Sequence, residues 1–135
     1  MKLGADTTTN GTVAIQTNTT IVGVLSVTDD ITAFWSSDSR LKENINPIDH
    51  AVQKVGELGG YHFDWNELAT NSGHDIGLIA QEVQTVLPEA VVERDNGYLA
   101  VDYHKVIPLL VQSIKELTAR IDQLESRSMG GLPPL

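Results

Sequence analysis

The residues most able to carry chemistry are Ser37 and Lys42, which lie five positions apart at the two ends of one polar segment. A serine hydroxyl is a weak nucleophile at neutral pH and reacts when a neighbouring base takes its proton. A lysine amine can be that base only when neutral, so a lysine pKa must fall by several units from about 10.4, as burial can achieve. Ser–Lys pairs are a known variant of this arrangement. The spacing alone is weak evidence, because such pairs are common in soluble chains and usually face solvent.

The pair lies where the composition of the chain changes. Residues 5–36 are rich in Thr, Val, Ile, Asn and Gly and carry almost no charge, whereas helix formers, charged residues and aromatic residues follow. Alternation of apolar and polar residues over 12–17 and 21–27 predicts two short strands. A segment of this length has too few aliphatic residues to enclose a core, and a lone hairpin is marginal in water. We therefore expect residues 1–36 to form a β-strand stem that shares strands with other chains; a disordered linker is the alternative.

The residues after position 37 predict a mixed α/β domain. We expect a helix, two strands, a second helix and a hairpin, in that order, over residues 48–58, 61–65, 75–79, 80–87 and 90–102. For residues 75–79 an extended lead-in to the second helix is the alternative to a strand. Gly59 and Gly60 end the first helix and Pro88 ends the second. Asn96 and Gly97 between two strand patterns are a strong hairpin signal.

A long helix is predicted over residues 103–126. Its apolar residues repeat at intervals of four and three, at Leu110, Ile114, Leu117, Ile121 and Leu124. This is a heptad pattern with Ile at a and Leu at d, which predicts a coiled-coil-like helix that associates with copies of itself. Taken alone, Ile at a with Leu at d favours two strands. The alternative is that the stripe packs on its own domain. Residues 127–135 have no regular pattern and are expected to be a flexible tail.

Composition argues against several functional classes. The formal net charge is -9, which disfavours a nucleic-acid partner. The chain has no cysteine for thiol or disulfide chemistry, and no apolar run is long enough for a membrane span. The four histidines show no metal-ligand spacing: His50, His62, His74 and His104. We therefore expect no metal, no cofactor and no membrane insertion.

Five sequence blocks follow one another in an order that resembles a known family. They are Ser37-Asp-x-Arg-Leu-Lys-x-Asn-Ile45, Gly60-Tyr-x-Phe-x-Trp65, Gly77-Leu-Ile-Ala-Gln-Glu-Val83, Leu87-Pro-Glu-Ala-Val91 and Val101-Asp-Tyr103. The series, with the helix after it, covers residues 37 to about 126. It resembles the C-terminal intramolecular chaperone of phage tailspikes and tail fibres, of which the endosialidase chaperone is a member.

The resemblance implies an α+β protein in three parts. Residues 1–36 would be the C-terminal end of a fibre stem, residues 37–126 a chaperone and autoprotease domain, and residues 127–135 the tail. It further implies a homotrimer that helps an intertwined triple β-helix fold in register and then releases itself. Assembly would take place in the cytoplasm of the bacterial host, and the mature fibre would stand in the virion tail.

The resemblance also assigns roles at the junction. Ser37 would be the nucleophile and Lys42 the base, and the cut would fall between Ser37 and Asp38, with Ser36–Ser37 as the alternative bond. A competing hypothesis is a non-enzymatic trimerisation module in which Ser37 and Lys42 are inert. A third is a precursor of a membrane-bound transcription factor, which shares this type of module; the stem rich in Thr and Gly makes that less favoured. Gln81 and Glu82 lie in a family block, and we expect them to be structural.

Overall fold

The computed structural model describes residues 14–130 of the chain. The chain divides between Glu43 and Asn44 into two units. Within the described residues, all α-helices and β-strands belong to the second unit, which combines two small antiparallel sheets with a long C-terminal helix. The predicted α+β class is confirmed at this level.

The first unit contains neither an α-helix nor a strand within residues 14–43, and its one regular element is a 3-10 turn over Ser39–Leu41. Its apolar side chains are exposed, with Val22 at 96% and Phe34 at 93%. The strand predicted over 12–17 lies partly outside the described residues, and that over 21–27 does not form in the single chain. A strand needs a partner for its backbone groups, so the predicted stem stays a prediction about several chains.

Helix α1 comprises Ala51–Gly56 and is shorter at both ends than the helix predicted over 48–58. The preceding residue, His50, has a left-handed φ of 50°, which an α-helix cannot continue through. The carboxylate of Glu116 accepts hydrogen bonds from the backbone N–H groups of Ala51 at 3.1 Å and Val52 at 3.0 Å. A distant acidic side chain therefore satisfies the start of α1.

Two antiparallel hairpins follow. Strand β1 comprises Tyr61–Asp64 and pairs with β2, His74–Gly77. Strand β3 comprises Val91–Glu93 and pairs with β4, Leu99–Val101. In the second hairpin Gly97 has a φ of 80°, as its turn requires, and its N–H donates to the carbonyl of Arg94 at 2.8 Å. The hairpin predicted from Asn96 and Gly97 is confirmed.

Helix α2 comprises Ala80–Val86, and Pro88 ends it by opening a 3-10 turn over Pro88–Ala90. The core lies between this helix, the second hairpin and the last helix. Val83, Ala90 and Val106 are its buried centre. Partly buried apolar residues surround that centre: Leu58, Leu78, Leu87, Val91 and Val101.

Helix α3 comprises Tyr103–Gly130, so it includes the first four residues of the predicted tail; the remainder lies outside the described residues. Pro108 lies in its second turn, and the helix continues through it. One face packs on the rest of the unit and buries Val106, Leu109 and Ser113. Within residues 14–130 no helix combines the length and apolar character that a membrane span needs.

The predicted heptad residues lie on another face of α3. We call Leu110, Ile114, Leu117, Ile121 and Leu124 the α3 stripe. In the single chain these five side chains are 43% to 63% exposed. The stripe is therefore not covered by the chain's own described residues, and it is available to another chain.

Candidate active site

All the residues proposed for chemistry lie in one stretch of the first unit. The side-chain amine of Lys42 donates a hydrogen bond to the Ser37 hydroxyl oxygen at 2.8 Å. This separation lies within the reach required of a general base and the hydroxyl that it deprotonates. The structure thus brings together the two side chains that the sequence pairs, and Asp38 follows Ser37 directly.

The 3-10 turn over Ser39–Leu41 folds the backbone between the two residues. The N–H of Leu41 donates to the carbonyl of Asp38, and the N–H of Lys42 donates to the carbonyl of Ser39, both at 3.1 Å. Five extended residues would span about 17 Å. Because the turn shortens this path, the lysine side chain can reach back to the serine.

Asp38 caps this turn, and Arg40 holds it. One carboxylate oxygen of Asp38 accepts from the backbone N–H of Arg40 at 2.9 Å and from its guanidinium Nε at 3.0 Å. The other oxygen accepts from Nη2 of Arg40 at 2.7 Å. The side-chain bonds from Arg40, and then its backbone N–H, hold the pKa of the Asp38 carboxyl below its usual value. The same ion pair raises the pKa of Arg40.

The contact between Asp38 and Arg40 was not predicted from the sequence. Its signal is an aspartate before a turn with an arginine two positions later, a spacing that allows one carboxylate to cap the turn and meet the guanidinium.

The pair is open to water in the single chain. Ser37 and Lys42 are both exposed. Burial is the usual means by which a protein favours a neutral amine over an ammonium ion. The hydrogen bond between the two side chains is therefore present in one chain, whereas neither side chain is buried there.

Glu82 has a structural part in the second unit, as expected. Its carboxylate accepts from the backbone N–H of Gly59 at 3.0 Å and from the Tyr61 hydroxyl at 2.8 Å. The hydrogen bond and the charge of Glu82 raise the pKa of Tyr61. These contacts fasten α2 to the start of β1. Gln81 is exposed.

Two of the four histidines meet on the first hairpin. His62 and His74 stack with ring centroids 5.3 Å apart, and Nδ1 of His74 lies 3.0 Å from a carboxylate oxygen of Asp64. Within residues 14–130 no group of three or more His, Cys, Asp or Glu side chains is arranged to hold a metal ion.

A cleft of about 730 Å³ lies in the second unit and is lined by residues between 63 and 103, including Trp65, Arg94 and Tyr98.

Comparison with known proteins shows what the segment from Ser37 onward is similar to. Residues 37–92 match a family model described as "Chaperone of endosialidase", and the model carries the name of a peptidase. The chain is 41% identical over 99 residues to the long tail fiber protein Gp37 of Enterobacteria phage K3 and to that of Enterobacteria phage T2. These matches cover 69% of this chain but only 8% and 7% of the two relatives. A 33% match to Gp37 of Enterobacteria phage M1 covers 67% of this chain and 39% of that protein.

Proposed function

Because residues 37–92 belong to the chaperone of endosialidase family, we propose that this chain is the C-terminal chaperone of a phage tail fibre and that it releases itself by autoproteolysis. The observation that carries the second part is the 2.8 Å hydrogen bond between Lys42 and Ser37. The Gp37 matches support the first part. On this proposal the chain acts during assembly in the host cytoplasm, and the fibre it serves stands in the virion tail.

The chaperone role follows from what the single chain leaves uncovered. Residues 14–36 expose apolar side chains along a segment that forms no strand alone. Three such segments can pair as an intertwined β-helix and bury their apolar residues along one axis. The α3 stripe is the surface that brings three chains together. Association through α3 raises the local concentration of the stems and lowers the entropic cost of aligning them.

Assembly would also shield Ser37 and Lys42 from water. Ser37 and Lys42 already share a hydrogen bond, but water reaches both. When neighbouring chains cover the junction, desolvation favours the neutral amine, which can then accept the Ser37 proton. Cleavage is thereby coupled to correct assembly. Once the chaperone has left, a high barrier to unfolding keeps the stem folded.

The position of the cut indicates whether the attacking hydroxyl belongs to the same chain or to another copy. Attack of the Ser37 oxygen on its own carbonyl carbon would close a strained four-membered ring. A cut between Ser37 and Asp38 therefore fits attack by Ser37 of another copy. Within one chain, the oxygen can reach the carbonyl carbon of Ser36 through a five-membered ring.

The same kinds of bond form and break on both routes. Lys42 takes the hydroxyl proton, the serine oxygen bonds to the carbonyl carbon, and the departing backbone nitrogen leaves with that proton. Water then hydrolyses the ester, which restores the serine hydroxyl and leaves a new carboxylate and a new amino terminus.

The test is the mass of freshly purified protein under denaturing conditions. We expect two fragments whose boundary lies at Ser37–Asp38, or at Ser36–Ser37 if the attack is within one chain. Ser37→Ala and Lys42→Ala should each give an uncut trimer, and Lys115→Ala is the control for loss of an exposed lysine. If Ser37→Ala and Lys42→Ala were both still cut between residues 36 and 38, neither side chain would take part in the cleavage.

The second candidate is a trimerisation module that never cuts itself. The exposure of Ser37 and Lys42 favours it, because exposed pairs of this kind are usually inert. A single intact mass from an assembled trimer, stable over days, would support this function and exclude autoproteolysis.

A further inference from the structure

The contact between Asp38 and Arg40 has no part in the proton transfer, yet it lies inside the five-residue path that joins the nucleophile to its base. Three hydrogen bonds reach one carboxylate, and all three donors belong to Arg40. The bond from the backbone N–H caps the turn, and the two from the guanidinium form a bidentate fork.

We propose that Asp38 and Arg40 are positioning residues for cleavage, because they hold closed the turn that presents Lys42 to Ser37. The proposal rests on the proposed autoproteolysis. Neither side chain acts on the scissile bond. Arg40 orients the Asp38 carboxylate, the carboxylate fixes the N–H of Arg40, and the turn then directs Lys42 back towards the serine.

The expected effect is on rate and not on fold. The side chains of Arg40 and Asp38 are 86% and 41% exposed, and exposed ion pairs contribute little to folding stability. Catalytic geometry is far more sensitive, since a displacement of about 1 Å can cost about 100-fold in rate. If the ion pair were only structural, breaking it would change neither the folding stability nor the cleavage rate noticeably. A positioning role and a purely structural role therefore predict different cleavage rates.

The test uses the full chain and compares Asp38→Asn, Arg40→Gln and the double variant. Cleavage is followed by denaturing gel and normalised to the amount of trimer measured by light scattering. We expect each single variant to cut about 2- to 5-fold more slowly, because an exposed ion pair can shift the population of the closed turn only by this much. The double variant should be no slower than the slower single one, because both changes break the same contact. Arg40→Lys, which keeps the charge but not the fork, should be intermediate, and Arg127→Gln should cut at the wild-type rate.

A spectroscopic measurement separates positioning from a direct effect of Asp38 next to the scissile bond. In the uncut Ser37→Ala protein, the Nε–H resonance of Arg40 should be protected from solvent exchange, and Asp38→Asn should remove that protection. Ser37→Ala itself controls for the proposed function: if it still cuts, autoproteolysis by this serine fails. If Ser37→Ala is uncut while Arg40→Gln cuts at the wild-type rate, the positioning role alone is overturned. Should Asp38→Asn form no trimer, Arg40→Gln decides the question.

Discussion

The two units of this chain use apolar residues in opposite ways. In residues 44–130 a small core is closed by the chain itself, with Val83, Ala90 and Leu109 fully buried. In residues 14–43 the aliphatic and aromatic side chains stand in solvent, and no strand forms among them. One unit closes a core by itself, whereas the described part of the other leaves its apolar residues exposed, as the proposed stem would before it pairs with other chains.

Helix α3 shows the same contrast on its two faces. Leu109 is fully buried, while Leu110, the next residue, is 43% exposed and belongs to the α3 stripe. The inner face packs on the rest of the second unit, whereas the outer face is exposed and is the surface through which we propose that chains associate.

The largest effect is expected from charge on the α3 stripe. Ile114→Asp with Leu117→Asp should abolish the proposed trimer, because two carboxylates at a and d positions cannot be buried without partners. Light scattering should then give the mass of one chain, and circular dichroism should still show a folded second unit. Ala119→Asp, exposed on the same helix but off the stripe, is the control. A trimer that survives the double substitution would show that α3 is not the assembly surface.

Breaking the inner face should act on folding instead. Leu109→Ala removes a fully buried side chain and should lower the free energy of unfolding by about 2–5 kcal/mol. Leu110→Ala should cost less in the single chain and weaken assembly more. Urea unfolding of both variants measures the first quantity and light scattering the second. Equal losses of stability would erase the distinction between the two faces.

A smaller effect is expected at the start of β1. A methyl group on Gly59 would collide with the Tyr61 ring, whereas one on Gly60 would meet nothing within 4 Å. Gly59→Ala should displace the exposed ring, break its bond to Glu82 and cost about 1 kcal/mol, the typical net value of one hydrogen bond. Gly60→Ala should be nearly neutral. Thermal unfolding of the two variants checks this, and a Gly59→Ala protein as stable as the wild type would contradict it.

The smallest effect concerns pH. The N–H groups of Val52 and then Ala51 hold the pKa of Glu116 below its usual value of 4.5. A lowered pKa in the folded state means that the stabilisation is present above pH 4.5 and is lost as pH falls through the folded-state pKa. Glu116→Gln should therefore lower the urea midpoint at pH 7 and flatten its decline towards pH 3, whereas Glu125→Gln should do neither. An unchanged acid dependence would show that this cap does not contribute to stability.

The sequence predicted most of the second unit because its signals are local. Glycines, prolines and the Asn96-Gly97 turn gave the order of its helices and strands. The start of α1 was misplaced, because it depends on Glu116, more than sixty positions away, and on the left-handed conformation of His50. No short-range pattern encodes either feature.

At the candidate site, the sequence paired Ser37 with Lys42 but gave no reason for them to meet. The structure supplies a 3-10 turn and the Asp38–Arg40 contact, which are themselves local. The proposed function assigns the burial of the pair, and the pairing of the stem strands, to other chains. Contacts between chains leave no short-range pattern in the sequence, so the residues that would make them could not be predicted.

The most direct test of the account is to measure cleavage and assembly in the same samples. Wild-type protein and the Ile114→Asp, Leu117→Asp variant would be followed by denaturing gel for the cut at the junction and by light scattering for molar mass. We expect that cutting appears only where trimer is present and that the single-chain variant stays intact although Ser37 and Lys42 are unchanged. A single chain that cuts itself as fast as the trimer would contradict it.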